Sequence, residues 1–261
     1  MTDQPVYLET KGEIATLVLN RPDKHNALNE EIWRTIPTLA AEVAENSAIK
    51  VLILRGAGPE AFAAGADISE FAEVHATPER ARDYHASIAA AYEAVAGLVK
   101  PTIAMVRGVC YGGGCALALT CDMRYADRTA RFAIPPARLG LAYSLRETKR
   151  LADLVGPSKA KEMLMGAKAL DAEEALQAGL ATRLFDAADL ERETLAFAEE
   201  LSSLSQYTIR AVKQTVGIIA AGATDDTEET RALSMGAFDK PDYHEGRDAF
   251  LEKREPKFTY R

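Results

Sequence analysis

Gly108-Val109-Cys110-Tyr111-Gly112-Gly113-Gly114-Cys115 follows the apolar run Thr102-Ile103-Ala104-Met105-Val106 and leads into the small apolar residues 115–120. The run reads as a buried β-strand and the residues after the glycines as a short apolar helix, so the octapeptide is a strand-to-helix junction. At such a start the first N–H groups have no partner in the helix, and the positive end of its dipole lies behind them. The place suits an oxyanion or a phosphate. Upstream, Ala61-Phe62-Ala63-Ala64-Gly65-Ala66-Asp67-Ile68 follows a second buried strand, Val51-Leu52-Ile53-Leu54. Its small residues let a ligand come close to backbone. Either element taken alone is equally well a tight turn. Neither carries the GxGxxG dinucleotide pattern, and the chain has no GxxxxGK[ST] phosphate loop and no GxSxG nucleophile elbow.

Around these two junctions the pattern is α/β. Residues 14–19 read as a strand, and a helix begins near Asn26 or Asn29, either of which can cap it, with Glu30 and Glu31 in its first turn. Leu28, Ile32, Ile36, Leu39 and Val43 mark its buried stripe, and Pro37 is expected to kink or interrupt it. Residues 78–98 read as a long helix with Ile88, Tyr92 and Val95 on one stripe, and residues 123–126 as a further strand. From about residue 158 the pattern turns helical, with segments at 158–165, 171–178, 189–202, 208–220, 226–238 and 242–253. Gly166 and Gly179 fall where helices stop.

The composition narrows the class. With 31 Lys+Arg against 39 Asp+Glu the net charge is -8, which argues against a nucleic-acid partner. No apolar run approaches the roughly 18 residues of a membrane span. Met1-Thr2-Asp3-Gln4-Pro5 lacks the basic-then-apolar pattern of a signal peptide, so a cytoplasmic location is the expectation. Cys110, Cys115 and Cys121 are odd in number and lack CxxC spacing, so they are expected as small buried residues rather than disulfide or metal ligands.

Taken together, the motifs are specific. Asn20-Arg21-Pro22, Asn26-Ala27-Leu28, Phe62-Ala63-Ala64-Gly65-Ala66-Asp67-Ile68, Lys100-Pro101-Thr102-Ile103-Ala104, Gly112-Gly113-Gly114-Cys115, Cys121-Asp122, Ala178-Gly179-Leu180 and the run from Glu245 to Arg254 occur in that order. In this combination the chain resembles the crotonase (enoyl-CoA hydratase/isomerase) superfamily over nearly its whole length. The resemblance implies a spiral of ββα units in residues 1–195, and a helical region in 196–261 that builds homotrimers or dimers of trimers. It implies an acyl-CoA substrate whose thioester enolate is held by the backbone amides of Ala66 and Gly113. No cofactor is implied beyond the coenzyme A of the substrate, and no metal. Coenzyme A would lie along Lys24, His25 and Ala27, with adenine near Ala64, Asp67 and Ile68, while Phe250 and Lys253 would reach the coenzyme of a neighbouring subunit. For Lys24, Phe250 and Lys253 a plain solvated or packed role stays open.

The same resemblance exposes a departure. Hydratases of this family carry one glutamate just after the Gly-Gly-Gly-Cys run and another in a Phe-Gly-x-Pro-Glu stretch; this chain has Ala116 and Pro136 there. General acid–base help is worth about 10²–10⁴ in rate per group. Candidate substitutes lie downstream: Tyr143 as a hydrogen-bond or proton donor and Glu147 as a relocated carboxylate, with Arg138 or Arg146 for a substrate carboxylate. A packed aromatic role for Tyr143, and an ion pair of Glu147 with Arg146 or Lys149, stay open beside these. His75 and His85 are expected at the surface. Three functions follow: an enoyl-CoA hydratase-like lyase or isomerase, a decarboxylase of a malonyl-type CoA thioester, and a CoA-binding paralogue without turnover.

Overall fold

A computed structural model describes residues 3–260. β1 (Val6–Lys11) and β2 (Ile14–Leu19) pair as an antiparallel hairpin, and α1 (Glu30–Glu45) crosses back to β3 (Val51–Gly56). Thereafter the chain spirals. β3 is followed by β4 (Ala61–Ala63), then by α2 (Phe71–Val74) and α3 (Pro78–Ala96). The next turn holds β5 (Thr102–Val106), β6 (Val109–Tyr111) and α4 (Gly112–Ala118), and the third holds β7 (Met123–Asp127), β8 (Arg131–Ala133) and α5 (Pro136–Leu139). In each turn the first strand joins one sheet and the second joins another: a six-stranded sheet in the order β1-β2-β3-β5-β7-β10, and a four-stranded sheet β4-β6-β8-β9. The expected α/β spiral of ββα units is therefore present. α6 (Leu145–Gly166), β9 (Leu170–Asp171), α7 (Ala172–Gln177) and β10 (Arg183–Phe185) close the sheets, and α8 (Leu190–Ser203), α9 (Gln206–Ala220), α10 (Glu228–Met235) and α11 (Pro241–Glu252) complete the helical third.

The unbroken apolar runs follow from a sheet covered on both faces. Leu52, Leu54, Ala104 and Val106 pack with Ile32, Ile36, Tyr92 and Leu117 of the helices on one side. The alternate residues Val51, Ile53, Ile103 and Met105 pack with Leu190 and Ala198 of α8 on the other. The division expected at 195/196 thus falls inside α8.

Three local expectations change. Asn29 caps α1, accepting from the Ile32 N–H at 3.1 Å, whereas Asn26 is buried in a left-handed turn. Pro37 does not interrupt α1, which runs on to Glu45 because Trp33, Ile36, Ala40 and Val43 anchor it to the core on both sides of the proline. The helix expected at 158–165 is the second half of α6; Gly156, at φ 76 and ψ 161, bends it ahead of Pro157.

Candidate active site

The two glycine-rich junctions meet backbone to backbone. β4 and β6 are parallel neighbours, so the residues after each strand emerge side by side. A Cβ on Gly114 would lie 2.6 Å from both the Cβ and the carbonyl oxygen of Ala63, and one on Gly65 would lie 3.5 Å from the Gly113 nitrogen. Gly65 also sits at φ +106, a conformation side chains disfavour. Only glycine permits this approach.

The amide of Ala66 is aimed by its neighbours. The Leu28 N–H donates to the Gly65 carbonyl at 2.7 Å and the Asp67 N–H to the Leu28 carbonyl at 2.9 Å. Backbone groups alternate in such a bridge, so the intervening Ala66 N–H faces the opposite way, and Ala66 lines a cavity of about 560 Å³. Gly113 lines the same cavity. It lies in the first turn of α4, where the helix offers its N–H no acceptor. Among the described residues neither amide has a hydrogen-bond acceptor. Tyr92, absent from the sequence-based site, fixes Gly113 from behind: its hydroxyl donates to the Gly113 carbonyl at 3.1 Å, and its ring meets Trp33 edge-on at 5.4 Å. Burial, with Tyr143 and Glu147 adding to it, raises the Tyr92 pKa well above 10.0, so the phenol remains a donor.

The segment before α6 supplies the opposing wall. Tyr143 and Glu147 both line the cavity, so all four expected catalytic positions come together there. The Tyr143 hydroxyl would lie 3.7 Å from a Cβ on Gly112 and has no hydrogen-bond partner among the described residues. Burial first, then the Glu147 carboxylate, pushes its pKa up from 10.0. Glu147 Oε2 accepts from the Ser144 N–H at 3.0 Å and the Ser144 hydroxyl at 2.6 Å, completing the capping box that starts α6. It pairs with neither Arg146 nor Lys149. Arg146 goes to Glu93 at 3.1 Å, and Lys149 to Asp153 at 2.5 Å. Arg150 binds the same Glu93 at 2.7 Å; burial works against ionisation, yet the two guanidiniums hold the Glu93 carboxyl below its ordinary range. Ala116 is buried within α4, Pro136 opens α5, and neither lines the cavity. Arg138 is exposed on α5 and also stands outside it. His85 is exposed, as expected, and His75 is half-buried; the two line the cavity mouth as a stacked pair 5.5 Å apart. Desolvation, then the neighbouring His85, lowers the His75 pKa from 6.5.

The expected coenzyme segments run beside one another outside the cavity. Ala64 N–H donates to the His25 carbonyl at 2.9 Å, bringing Lys24, His25 and Ala27 against Ala64 and Ile68. Lys24, His25, Ala64 and Ile68 are exposed. Asp67 is turned inward: it accepts from Ser69 N–H and hydroxyl and pairs with Arg21 at 2.8 Å, contacts that lower its pKa, the Ser69 bond most. Arg21 also donates to the Ala27 carbonyl at 2.7 Å. Asn26 ties the turn to β4, donating to Ala61 and Ala57 carbonyls and accepting from Arg21 N–H. Phe250, 82% exposed near the end of α11, and Lys253, its left-handed cap, do not line the cavity.

Strands delivered alternately to two sheets, with two free amides where the loops after β4 and β6 meet, define the crotonase class of α/β folds. Residues 9–261 match the family model described as enoyl-CoA hydratase/isomerase. The crotonyl-CoA hydratase of Syntrophomonas wolfei is 34% identical over 264 residues, covering 99% of each chain. The short-chain-enoyl-CoA hydratase of Clostridium acetobutylicum is 32% identical over 253 residues, covering 95% of each. A solved enoyl-CoA hydratase/carnithine racemase from Magnetospirillum magneticum superposes with a TM-score of 0.94 at 33% identity, covering 99% of this chain and 96% of that one. The chain belongs to the enoyl-CoA hydratase/isomerase family.

Proposed function

We propose that the protein is an acyl-CoA enzyme that holds a thioester oxygen between the Ala66 and Gly113 N–H groups and stabilises the enolate formed there. The observation that carries this reading is the opening of two unpaired amides, brought together by Gly65 and Gly114, into one cavity with the free Tyr143 hydroxyl. Donors fixed before charge develops need no reorganisation, and losing one costs about 10²–10³ in rate. Tyr143, kept protonated by burial, is the proton donor. Lys24, His25, Ala27, Ala64 and Ile68 form the coenzyme track, with Asp67 bracing it through Arg21. Phe250 and Lys253 contribute from the next subunit of a homotrimer or dimer of trimers, in the cytoplasm.

The reaction within this class is hydratase- or isomerase-like, by kinship with the hydratases above. One observation favours a second reading. Both carboxylates lining the cavity are engaged, Glu93 by two arginines and Glu147 by Ser144, which leaves no free carboxylate to act as base. Decarboxylation of a malonyl-type thioester needs none: the electrons of the breaking C–C bond become the enolate, CO₂ leaves, and the Tyr143 proton goes to the α-carbon.

Incubation with crotonyl-CoA and with methylmalonyl-CoA, followed by mass spectrometry, tests both. Hydroxybutyryl-CoA supports the first reading and propionyl-CoA the second. Tight CoA binding without either product points to a paralogue without turnover on these acyl groups.

A further inference from the structure

Ala66 lies beyond the end of β4, so the sheet does not set the direction of its N–H. What aims it is a single parallel bridge between Leu28 and Ala66, held by the two backbone bonds at 2.7 and 2.9 Å. The residues around this bridge are poorly suited to hold it unaided. Gly65, at φ +106, has no side chain to pack. His25 and Asn26, just ahead of Leu28, sit at φ 49 and 55, a region that side chains disfavour. Such a conformation persists only where its surroundings over-determine it.

Arg21 supplies that restraint from outside the cavity, which it does not line. Its guanidinium donates through Nη1 to the Ala27 carbonyl at 2.7 Å and through Nη2 to Asp67 Oδ2 at 2.8 Å. Ala27 precedes Leu28 and Asp67 follows Ala66, so one planar fork ties together the two segments that form the bridge. Neither end of the tie is loose. Asp67 Oδ1 accepts from the Ser69 N–H at 3.1 Å and from its hydroxyl at 2.6 Å. The Arg21 N–H donates to Asn26 Oδ1 at 2.9 Å, and Asn26 Nδ2 donates to the Ala61 carbonyl of β4 at 2.8 Å. The Arg21 and Asp67 side chains are 20% and 11% exposed, so the pair escapes much of the screening that weakens surface ion pairs. On the acyl-CoA reading of the site, on which this rests, we propose that Arg21 is a positioning residue: through Asp67 and the Ala27 carbonyl it sets the direction of the Ala66 N–H.

Two variants of the full-length protein separate the fork from the charge. Arg21→Lys keeps the charge and loses the planar fork. Asp67→Asn keeps the shape of the side chain and loses its charge, and it carries the same readings should Arg21→Lys not fold. Each is titrated calorimetrically with butyryl-CoA, and the carbonyl stretch of the bound thioester, carbon-13-labelled at that carbonyl, is read by infrared difference spectroscopy. In the unaltered protein the band should lie below its frequency in water. In either variant it should move part of the way back, while affinity for butyryl-CoA changes little. Where crotonyl-CoA or methylmalonyl-CoA turns over, kcat should fall about tenfold, short of the 10²–10³ of a lost oxyanion donor, with a smaller change in KM. The double variant should be little worse than the worse single one, because both residues act through one bridge. A band and a kcat that stay in place in both variants overturn the proposal and leave the acyl-CoA reading standing. Weaker binding with the band unmoved assigns Arg21 to the coenzyme instead and also overturns it. A bound carbonyl that vibrates as in water in the unaltered protein overturns the reading of the site itself.

Discussion

The cavity has two walls built on different principles. One is backbone: Ala66 and Gly113, set by parallel strands β4 and β6 and by glycines at which a Cβ would crowd the neighbouring segment. The other is side chain: Tyr84, Tyr92 and Glu93 from α3, and Tyr143, Glu147 and Arg150 from the segment opening α6. The backbone wall can do one thing, which is to present two N–H groups at a fixed spacing. The side-chain wall can change its chemistry residue by residue without moving the sheets. On the proposed reading, the backbone wall stabilises the enolate, and the wall opposite it decides which acyl group enters and where its proton comes from.

The division can be broken from either side, and the backbone side should break hardest. Gly114→Ala forces a Cβ into Ala63, at 2.6 Å from its Cβ and carbonyl, and pushes the two amides apart. We expect kcat to fall by about a hundredfold or more, the loss of one oxyanion donor, together with about 1–3 kcal/mol of stability from overpacking. Steady-state kinetics and thermal melts check both; unchanged kcat in a folded variant would mean that this spacing does not set catalysis.

On the side-chain wall, Tyr143→Phe should lower kcat by about a hundredfold, within the range of one general acid, with KM nearly unmoved. The pH profile sharpens the point. Burial and Glu147 raise the Tyr143 pKa above 10.0, so the acid form persists through neutral and mildly alkaline solution. Its loss should appear only above the ordinary tyrosine range, and an alkaline fall in kcat near neutrality would assign the proton to another group.

Tyr92→Phe joins the two walls. It removes the hydrogen bond that holds the Gly113 carbonyl at 3.1 Å while leaving the ring against Trp33. A hydrogen bond of this kind contributes about 0.5–1.5 kcal/mol, so kcat should fall up to about tenfold, with a smaller change in KM because the hydroxyl is spent on the Gly113 carbonyl. The smallest effect is expected at Glu147. Its carboxylate caps α6 through Ser144, so Glu147→Ala should lower Tm by about 2–4 °C for each kcal/mol of cap lost and cost less turnover than Tyr143→Phe. If turnover collapses while Tm holds, that carboxylate belongs to the chemistry and not to the helix start.

The backbone wall was legible in sequence because its requirement is written as residue type. Glycines and alanines after two apolar strands leave few conformations, and the same logic found strands β2, β3, β5 and β7. The side-chain wall was legible only in part. Tyr143 and Glu147 were found by nearness to a missing glutamate, but Tyr92 read as part of a buried helix stripe and Trp33 drew no reading. A usable signal was present: Tyr84, Ile88 and Tyr92 recur every fourth residue of α3, placing two phenols on one face. Strands β4, β6 and β8 are three residues each, too short for a period to show. Asn26 misread as a cap for a simpler reason. Asparagine favours caps and left-handed turns alike, and only the tertiary partners at Ala57 and Ala61 choose between them.

The most direct test is the carbonyl stretch of a bound, carbon-13-labelled acyl-CoA thioester, read by isotope-edited infrared difference spectroscopy. If the Ala66 and Gly113 N–H groups grip the thioester oxygen, the band will lie at lower frequency than in water and return toward the water value in Gly114→Ala. A bound thioester whose carbonyl vibrates as it does in solution, in the unaltered protein, would contradict the account.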